Sequence, residues 1–316
     1  MANGCAPRTW RVVSEASVTR WLLEGDPAIR WRVMRDLTRE SDDVVATERS
    51  RVSSEGWGRA LIDRQAPEGW WVRPDDEGWM ATTDALVLLR VMGLDASSDE
   101  AHRAIARVKA HLTFERLANR PYFDGETEPC INGAILAVGS YFGERCDRIV
   151  DRLLDEQLAD GGWNCEAPPS TRSSFNSTIR VLEGLLEYER AWGITPVMTD
   201  ARLKAHEYLL ERRMFRRLTT GEIVDRKWTR FAFPTVWHYD ILRGLDYLRS
   251  ASVEPDERVA DAIDFVEARR HQNGRWPMNH LHADRLDFPI EPETGRASRW
   301  NTLRAMRVLK WYNRRA

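Results

Sequence analysis

The sequence lacks long apolar runs, a charge excess of either sign and the pattern of β-strands. None of its apolar runs approaches the roughly 18 residues that a membrane-spanning helix needs. Its 47 lysines and arginines nearly balance its 49 acidic residues, for a formal net charge of −2, which argues against a polyanion such as nucleic acid as the main partner. The first residues also lack the apolar stretch of a signal peptide. We therefore expect a cytoplasmic protein with no membrane span and no nucleic-acid partner.

Cysteine is scarce as well. The chain has four cysteines in 316 residues, at positions 5, 130, 146 and 165, and none of them forms a C-x-x-C pair. In a cytoplasmic setting such cysteines are more often thiols or metal ligands than disulfides.

A helical unit is repeated along most of the chain. It is clearest in residues 157–191, where Gly161 and Gly162 end one helix and Trp163 supplies a flat aromatic plug against the next unit. A Pro/Ser-rich loop follows, and from Ile179 the apolar residues recur at helical spacing. The sequence therefore predicts a helix, a turn, a loop and a second helix.

Six copies of this unit cover the chain from residue 15 onwards. Gly-Trp or a substitute stands at the turns, as Gly69-Trp70, Tyr122-Phe123, Gly162-Trp163, Trp228 and Trp276. The repeats predict an all-α protein of six helical hairpins, about twelve helices, forming one domain over 15–316 after a lead-in over 1–14.

Aligning the second helix of each unit brings polar residues to one shared position near the helix start. They are Arg32, Asp84, Cys130, Asn176, His238 and Asn301. In a closed ring these residues converge at one end of a central barrel, where helix N-termini favour an anion. Helix capping explains the Asp and Asn members equally well, but it explains Cys130 and His238 poorly.

The turns also resemble those of a known group of proteins. QLADGGWN, RQAPEGWW and HQNGRW are similar to the Q-x-x-x-G-x-W repeats of squalene and hopene cyclases, and GGW followed by a loop and a helix resembles the repeat of protein prenyltransferase β subunits. The resemblance implies an (α/α)6 toroid of the terpene cyclase and prenyltransferase kind. The chain lacks the D-x-D-D acid of class II cyclases and the D-D-x-x-D box, and its acidic clusters at 42–43, 75–77 and 99–100 match neither. Squalene cyclisation is therefore not expected.

Prenyltransferase β subunits hold zinc with an Asp-x-Cys pair and a later His. Glu128-Pro129-Cys130 and His238 resemble that set, and Cys165 lies in the repeat between them. Two thiolates and an imidazole suit zinc, and an open fourth position is typical of catalytic sites. We therefore predict a zinc site made by Cys130, Cys165 and His238, with Glu128 or a water as the fourth ligand.

Other readings of the same residues stay open. Cys130 at a helix N-terminus, with His238 as its base, would form a nucleophilic pair. Asp84 and Asp240 are candidates for acid–base work, although either can be a cap or an ion-pair partner. Asn176 would help Asp84 to orient or protonate the substrate. Separately, His280 and His282 form an H-x-H pair that would bind metal if its loop folded over the barrel mouth.

Together these residues predict a zinc-dependent enzyme with an apolar, isoprenoid-like small molecule in its central barrel. The ring of helix N-termini would hold the negative end of that molecule. Two alternatives remain, a carbohydrate lyase or hydrolase with paired acids and a non-catalytic binding scaffold. The sequence does not decide whether a partner subunit is needed.

Overall fold

The computed structural model of the protein describes residues 14–71, 78–291 and 293–315. The predicted lead-in over 1–14, apart from Ser14, and the acidic cluster at 75–77 lie outside these ranges. Within them the protein is all-α, as the repeats predict. The α-helices are α1 Glu15–Leu23, α2 Pro27–Val33, α3 Asp42–Ser50, α4 Gly56–Ile62, α5 Trp79–Met92, α6 Asp99–His111, α7 Pro129–Tyr141, α8 Asp147–Asp155, α9 Phe175–Trp192, α10 Pro196–Glu211, α11 Ile241–Ser250, α12 Ala260–Ala268 and α13 Arg299–Tyr312.

The described residues also include two very short strands. They are β1 Thr113–Phe114 and β2 Arg120–Pro121, which pair antiparallel in the loop before α7. A π-helical turn at Met34–Thr38 extends α2.

The second helix of each predicted hairpin contacts the next such helix, and the contacts close into a circuit. α5 contacts α7, α7 contacts α9, α9 contacts α11, α11 contacts α13, and α13 contacts α2. Hydrogen bonds join α2 to the end of α5, where Trp31 Nε1 donates to the carbonyl of Met92 over 2.8 Å. We call α2, α5, α7, α9, α11 and α13 the inner helices. These contacts and hydrogen bonds link the six inner helices in series.

Buried tryptophans fix the turns within the hairpins, between the first and the second helix of each unit. Trp71, Trp163 and Trp276 are at most 2% exposed, and the indole N–H of each donates to a carbonyl ten residues earlier, at Leu61, Leu153 and Val266. The backbone N–H of each donates to a buried threonine, Thr82, Thr178 and Thr302. The prediction of Trp70 as the plug was wrong, because Trp71 has the spacing from Gly69 that Trp163 has from Gly161.

No helix in the described ranges combines the length and the apolar character that crossing a membrane would take.

Candidate functional site

The residues that cap the inner helices give the true register of the repeat. These caps are Asp26, Gly78, Glu128, Ser174, Asp240 and Ser298. The sixth residue after each cap is Arg32, Asp84, Ala134, Arg180, Asp246 and Arg304.

The predicted shared position therefore holds only for Arg32 and Asp84. Cys130 and Asn176 come two residues after their caps, Asn301 comes three after, and His238 precedes its cap by two. The alignment was wrong because loops of different length precede each helix, and small polar residues near a helix start resemble one another. The buried threonines, each four residues after its cap, mark the register correctly.

A cavity of about 630 Å³ lies inside the ring. Most of its lining comes from the middle and C-terminal parts of the inner helices. The charged side chains of the cavity therefore do not lie at the N-terminal rim, where the anion site was predicted. Nine arginines line it, Arg32, Arg35, Arg49, Arg90, Arg190, Arg243, Arg249, Arg304 and Arg307. Among the described residues, four carboxylates line it, Asp36, Glu183, Glu187 and Asp246, which leaves an excess of five positive charges in this part of the lining.

Several of these arginines are buried and paired. Arg243 binds Glu183 through two bonds of 2.8 and 2.9 Å, and Arg307 contacts both Asp36 and Asp246. The guanidinium of Arg35, followed by that of Arg307, lowers the pKa of Asp36 to about 2 despite its burial. Arg307, followed by Arg249 and Arg304, holds the pKa of the buried Asp246 far below its usual range. Both carboxylates are therefore ionised at neutral pH.

Arg32 forms no ion pair within the described residues, although the charge of Asp36 acts on it. Its guanidinium donates to the carbonyl of Val91 and lies over the rings of Trp31 and Trp300, at 4.3 and 5.9 Å from their centroids. Its buried Nε has no hydrogen-bond partner within the described part of the chain. Burial, followed by the charges of Arg307 and Arg35, lowers its pKa well below the usual value. Arg32 is thus a cation held beside other cations.

Apolar side chains complete the cavity wall. Phe233 and Trp300 stack with ring centroids 4.4 Å apart, and Val87, Val91 and Leu186 also face the cavity. The lining is therefore amphipathic, with a cationic excess and an aromatic surface.

The structure separates the three predicted zinc ligands into two clusters. Cys130 and Cys165 come together with Glu128, whereas His238 lies with His282 and Asp284. Within each cluster one ligand atom per residue lies within 4.8 Å of the others. The structure therefore does not bring Cys130, Cys165 and His238 into one metal site, as the sequence predicted. His238 precedes its helix, and the loop after α12 places His282 and Asp284 beside it.

The two cysteines form a thiol pair, which we name the thiol cluster together with Glu128. Cys130 Sγ lies 3.7 Å from Glu128 Oε2, and Cys165 Sγ lies 3.3 Å from the hydroxyl of Ser177 in the first turn of α9. The hydrogen bond that Cys130 donates lowers the pKa of Cys165, while the same contact and burial raise the pKa of Cys130. The nucleophile hypothesis paired Cys130 with His238 as its base, and the structure places these two residues in separate clusters. Cys165 is the more acidic thiol, a difference that only the folded contact reveals.

The other predicted site residues have partners of their own. Asp240 caps α11 by accepting the N–H of Arg243 over 2.7 Å, lies 3.6 Å from Arg304, and is 3% exposed. Asn176 Oδ1 accepts the N–H of Tyr239 over 2.7 Å, which ties α9 to the segment before α11. Asp84 lies on α5 and interacts electrostatically with Arg180 of α9. Arg180 was not among the predicted site residues. It also interacts electrostatically with Cys130 of the thiol cluster and with Glu183 of the cavity wall, so its charge acts on both places.

Comparisons with known proteins give distant structural likenesses. No family model and no curated protein matches the sequence. Among solved structures, the type II terpene cyclase MstE from Scytonema, in its apo form, is 19% identical with a TM-score of 0.45, covering 90% of this chain and 87% of that one. A variant of the same cyclase in complex with geranylgeranyl dihydroxybenzoate, its substrate, is 17% identical with a TM-score of 0.44, covering 95% and 88%.

Proposed function

We propose that this protein is an enzyme of the terpene cyclase-like kind, whose isoprenoid-like substrate carries an anionic group that binds in the central cavity. The observation that carries the proposal is the unmatched charge of Arg32 among nine arginines and four carboxylates. A buried charge without a counter-ion is costly, so an anion between these guanidinium groups would stabilise the folded protein. The aromatic wall of Phe233 and Trp300 would contact the apolar part of the same molecule.

Thermal-shift measurements with matched ligands test this proposal. Pyrophosphate, geranylgeranyl diphosphate and benzoate are compared with neutral geranylgeraniol. We expect the anions to raise the melting temperature of the wild type and the prenylated anion to raise it most. Pyrophosphate against benzoate then separates a phosphate end group from a carboxylate.

Variants make the same test specific to the cavity. Arg32→Met should abolish the anion-dependent shift, whereas Arg148→Met, whose side chain is 81% exposed, should leave it unchanged. Equal protection of Arg32→Met and wild type would overturn the proposal. Protection by sugars alone would favour the carbohydrate alternative, and no protection by any ligand would favour a scaffold.

The catalytic part of the proposal rests on the thiol cluster. Two thiols and a carboxylate within 4.8 Å of one another suit zinc, and the lowered pKa of Cys165 favours the thiolate that zinc binds. Bound zinc would supply a Lewis acid for an electrophilic centre. In the proposal Cys130, Cys165 and Glu128 hold the ion, Asp84 exchanges a proton with the substrate, and Asn176 and Asp240 position the elements around them.

Metal content measured by mass spectrometry tests the thiol cluster. Wild type should retain about one zinc more per chain than the double variant Cys130→Ala/Cys165→Ala. Cys146→Ala is the control, because its buried thiol lies outside both clusters. Equal zinc content in wild type and the double variant would remove zinc from the proposal and leave the anion site standing.

A further inference from the structure

A second cluster of metal-ligating side chains lies where the loop after α12 meets the segment before α11. The rings of His238 and His282 stack at 3.8 Å with an angle of 8° between their planes. Nε2 of His238 lies 3.1 Å from each carboxylate oxygen of Asp284. One ligand atom from each of these three residues lies within 4.8 Å of the others. We call His238, His282 and Asp284 the histidine cluster.

A third histidine borders this cluster. The ring of His280 lies 4.6 Å from that of His282 in an edge-to-face arrangement. Its Nδ1 is buried and has no hydrogen-bond partner within the described residues. Three of the seven histidines of the chain are thus gathered in one place with a carboxylate.

A purely structural role accounts for this arrangement incompletely. An ion pair between His238 and Asp284 involves one imidazole. It does not explain why the ring of His282 stacks on His238, or why Nδ1 of His280 is buried without a hydrogen-bond partner. A buried ring nitrogen without a hydrogen-bond partner destabilises the folded protein. Neutral imidazoles offer lone pairs to a cation, and a metal ion would use several of them at once.

We propose that His238, His282 and Asp284 bind a divalent transition-metal ion such as Zn²⁺, with His280 adjacent as a further nitrogen donor. Two imidazoles and one carboxylate form a ligand set that leaves coordination positions open for water or substrate. The indole N–H of Trp237 donates to Asp284, which orients the carboxylate as outer hydrogen bonds do in metal sites. The site is separate from the thiol cluster and does not depend on it.

Cobalt binding distinguishes the two sites, because Co²⁺ bound by thiolates shows a charge-transfer band in the near ultraviolet that imidazole and carboxylate ligands do not give. Full-length Cys130→Ala/Cys165→Ala should still bind one Co²⁺, with visible d–d bands and no thiolate band. In that background Asp284→Asn, which keeps the shape of the side chain, should weaken Co²⁺ binding by about tenfold or more. His282→Ala should do the same.

The control in that background is His102→Ala, an exposed histidine on α6, which should leave the affinity unchanged. Circular dichroism checks that each variant remains folded. The proposal is overturned if the cysteine-free protein binds no Co²⁺, or if both Asp284→Asn and His282→Ala bind it within twofold of their background. A wild type without a thiolate band would instead count against the thiol cluster alone.

Discussion

At the scale of single residues, His206 shows how burial makes stability depend on pH. It is 5% exposed on α10, and its Nε2 lies 2.9 Å from the hydroxyl of Tyr247 on α11. Burial, and after it the charge of Arg202, lowers its pKa from 6.5 to about 4. The unfolded chain therefore binds a proton at this residue below pH 6.5, while the folded protein does not.

Stability should consequently fall as the pH drops from about 6.5 towards 4. The shift corresponds to a loss of about 3 kcal/mol from this group over that window. His206→Gln keeps a hydrogen-bonding side chain and removes the titration, so its free energy of unfolding should vary less over the same range. Urea unfolding at a series of pH values measures both. Parallel curves for the two proteins would show that His206 does not titrate in this way.

The tryptophan plugs give a second prediction at this scale. Trp163→Phe removes the N–H that binds the carbonyl of Leu153 over 2.7 Å and leaves space in a fully buried site. We expect it to lower the free energy of unfolding by about 2–4 kcal/mol. Trp192→Phe is the matched control, since that ring is 39% exposed and should change little. Similar losses in the two variants would contradict the plug.

Residue types and spacing predicted the plugs at Trp163 and Trp276, because a glycine turn followed by tryptophan is a local signal, but they predicted Trp70 where Trp71 is the plug. For the polar residues they placed Cys130 beside Cys165, as the structure does, but they also placed His238 there, which the structure puts in another cluster. Cys130 and Cys165 meet through the packing of α7 on α9, whereas His238 meets His282 through the path of a long loop. Neither the packing distance nor that path is encoded in local spacing.

At the scale of elements, α7 and α9 approach each other most closely at two glycines. A Cβ at Gly184 would lie 2.4 Å from the carbonyl oxygen of Gly133, and one at Gly133 would lie 2.6 Å from the backbone of Arg180. Both contacts are with backbone, so the helices must separate if either glycine is replaced. This approach also brings Cys130 on α7 to Cys165 before α9.

Gly184→Ala should therefore destabilise the protein by about 1–3 kcal/mol. The sign of this change in stability is informative, because alanine in place of glycine inside a helix normally stabilises the helix by about 1 kcal/mol. Thermal unfolding measures the change, and Val197→Ala on α10, where the side chain is 62% exposed, controls for a change on a helix surface. A stabilised Gly184→Ala protein would show that the helices are free to separate.

At the scale of the whole molecule, the sequence predicted the helical architecture but not the charged lining of the cavity. Six hairpins follow from repeated turns and helical periodicity, and these are properties of neighbouring residues. The cationic lining follows from which helix faces turn inward. Arg32, Asp246 and Arg304 share one register position on three helices, and that register depends on loop lengths that the alignment could not place.

The excess of guanidinium groups in the cavity also has a thermodynamic consequence. Like charges held together repel, so the protein is less stable than its apolar contacts alone would make it, and the anion of the proposed function would offset that repulsion. Added salt screens that repulsion.

At low ionic strength Arg32→Met should therefore match or exceed the wild type in free energy of unfolding, and the difference should narrow as sodium chloride is added during urea unfolding. A variant less stable than wild type at every salt concentration would mean that the cation is already neutralised within the protein. If Arg32→Met instead matches or exceeds the wild type, the protein gives up stability in the absence of ligand in exchange for a site that binds an anion.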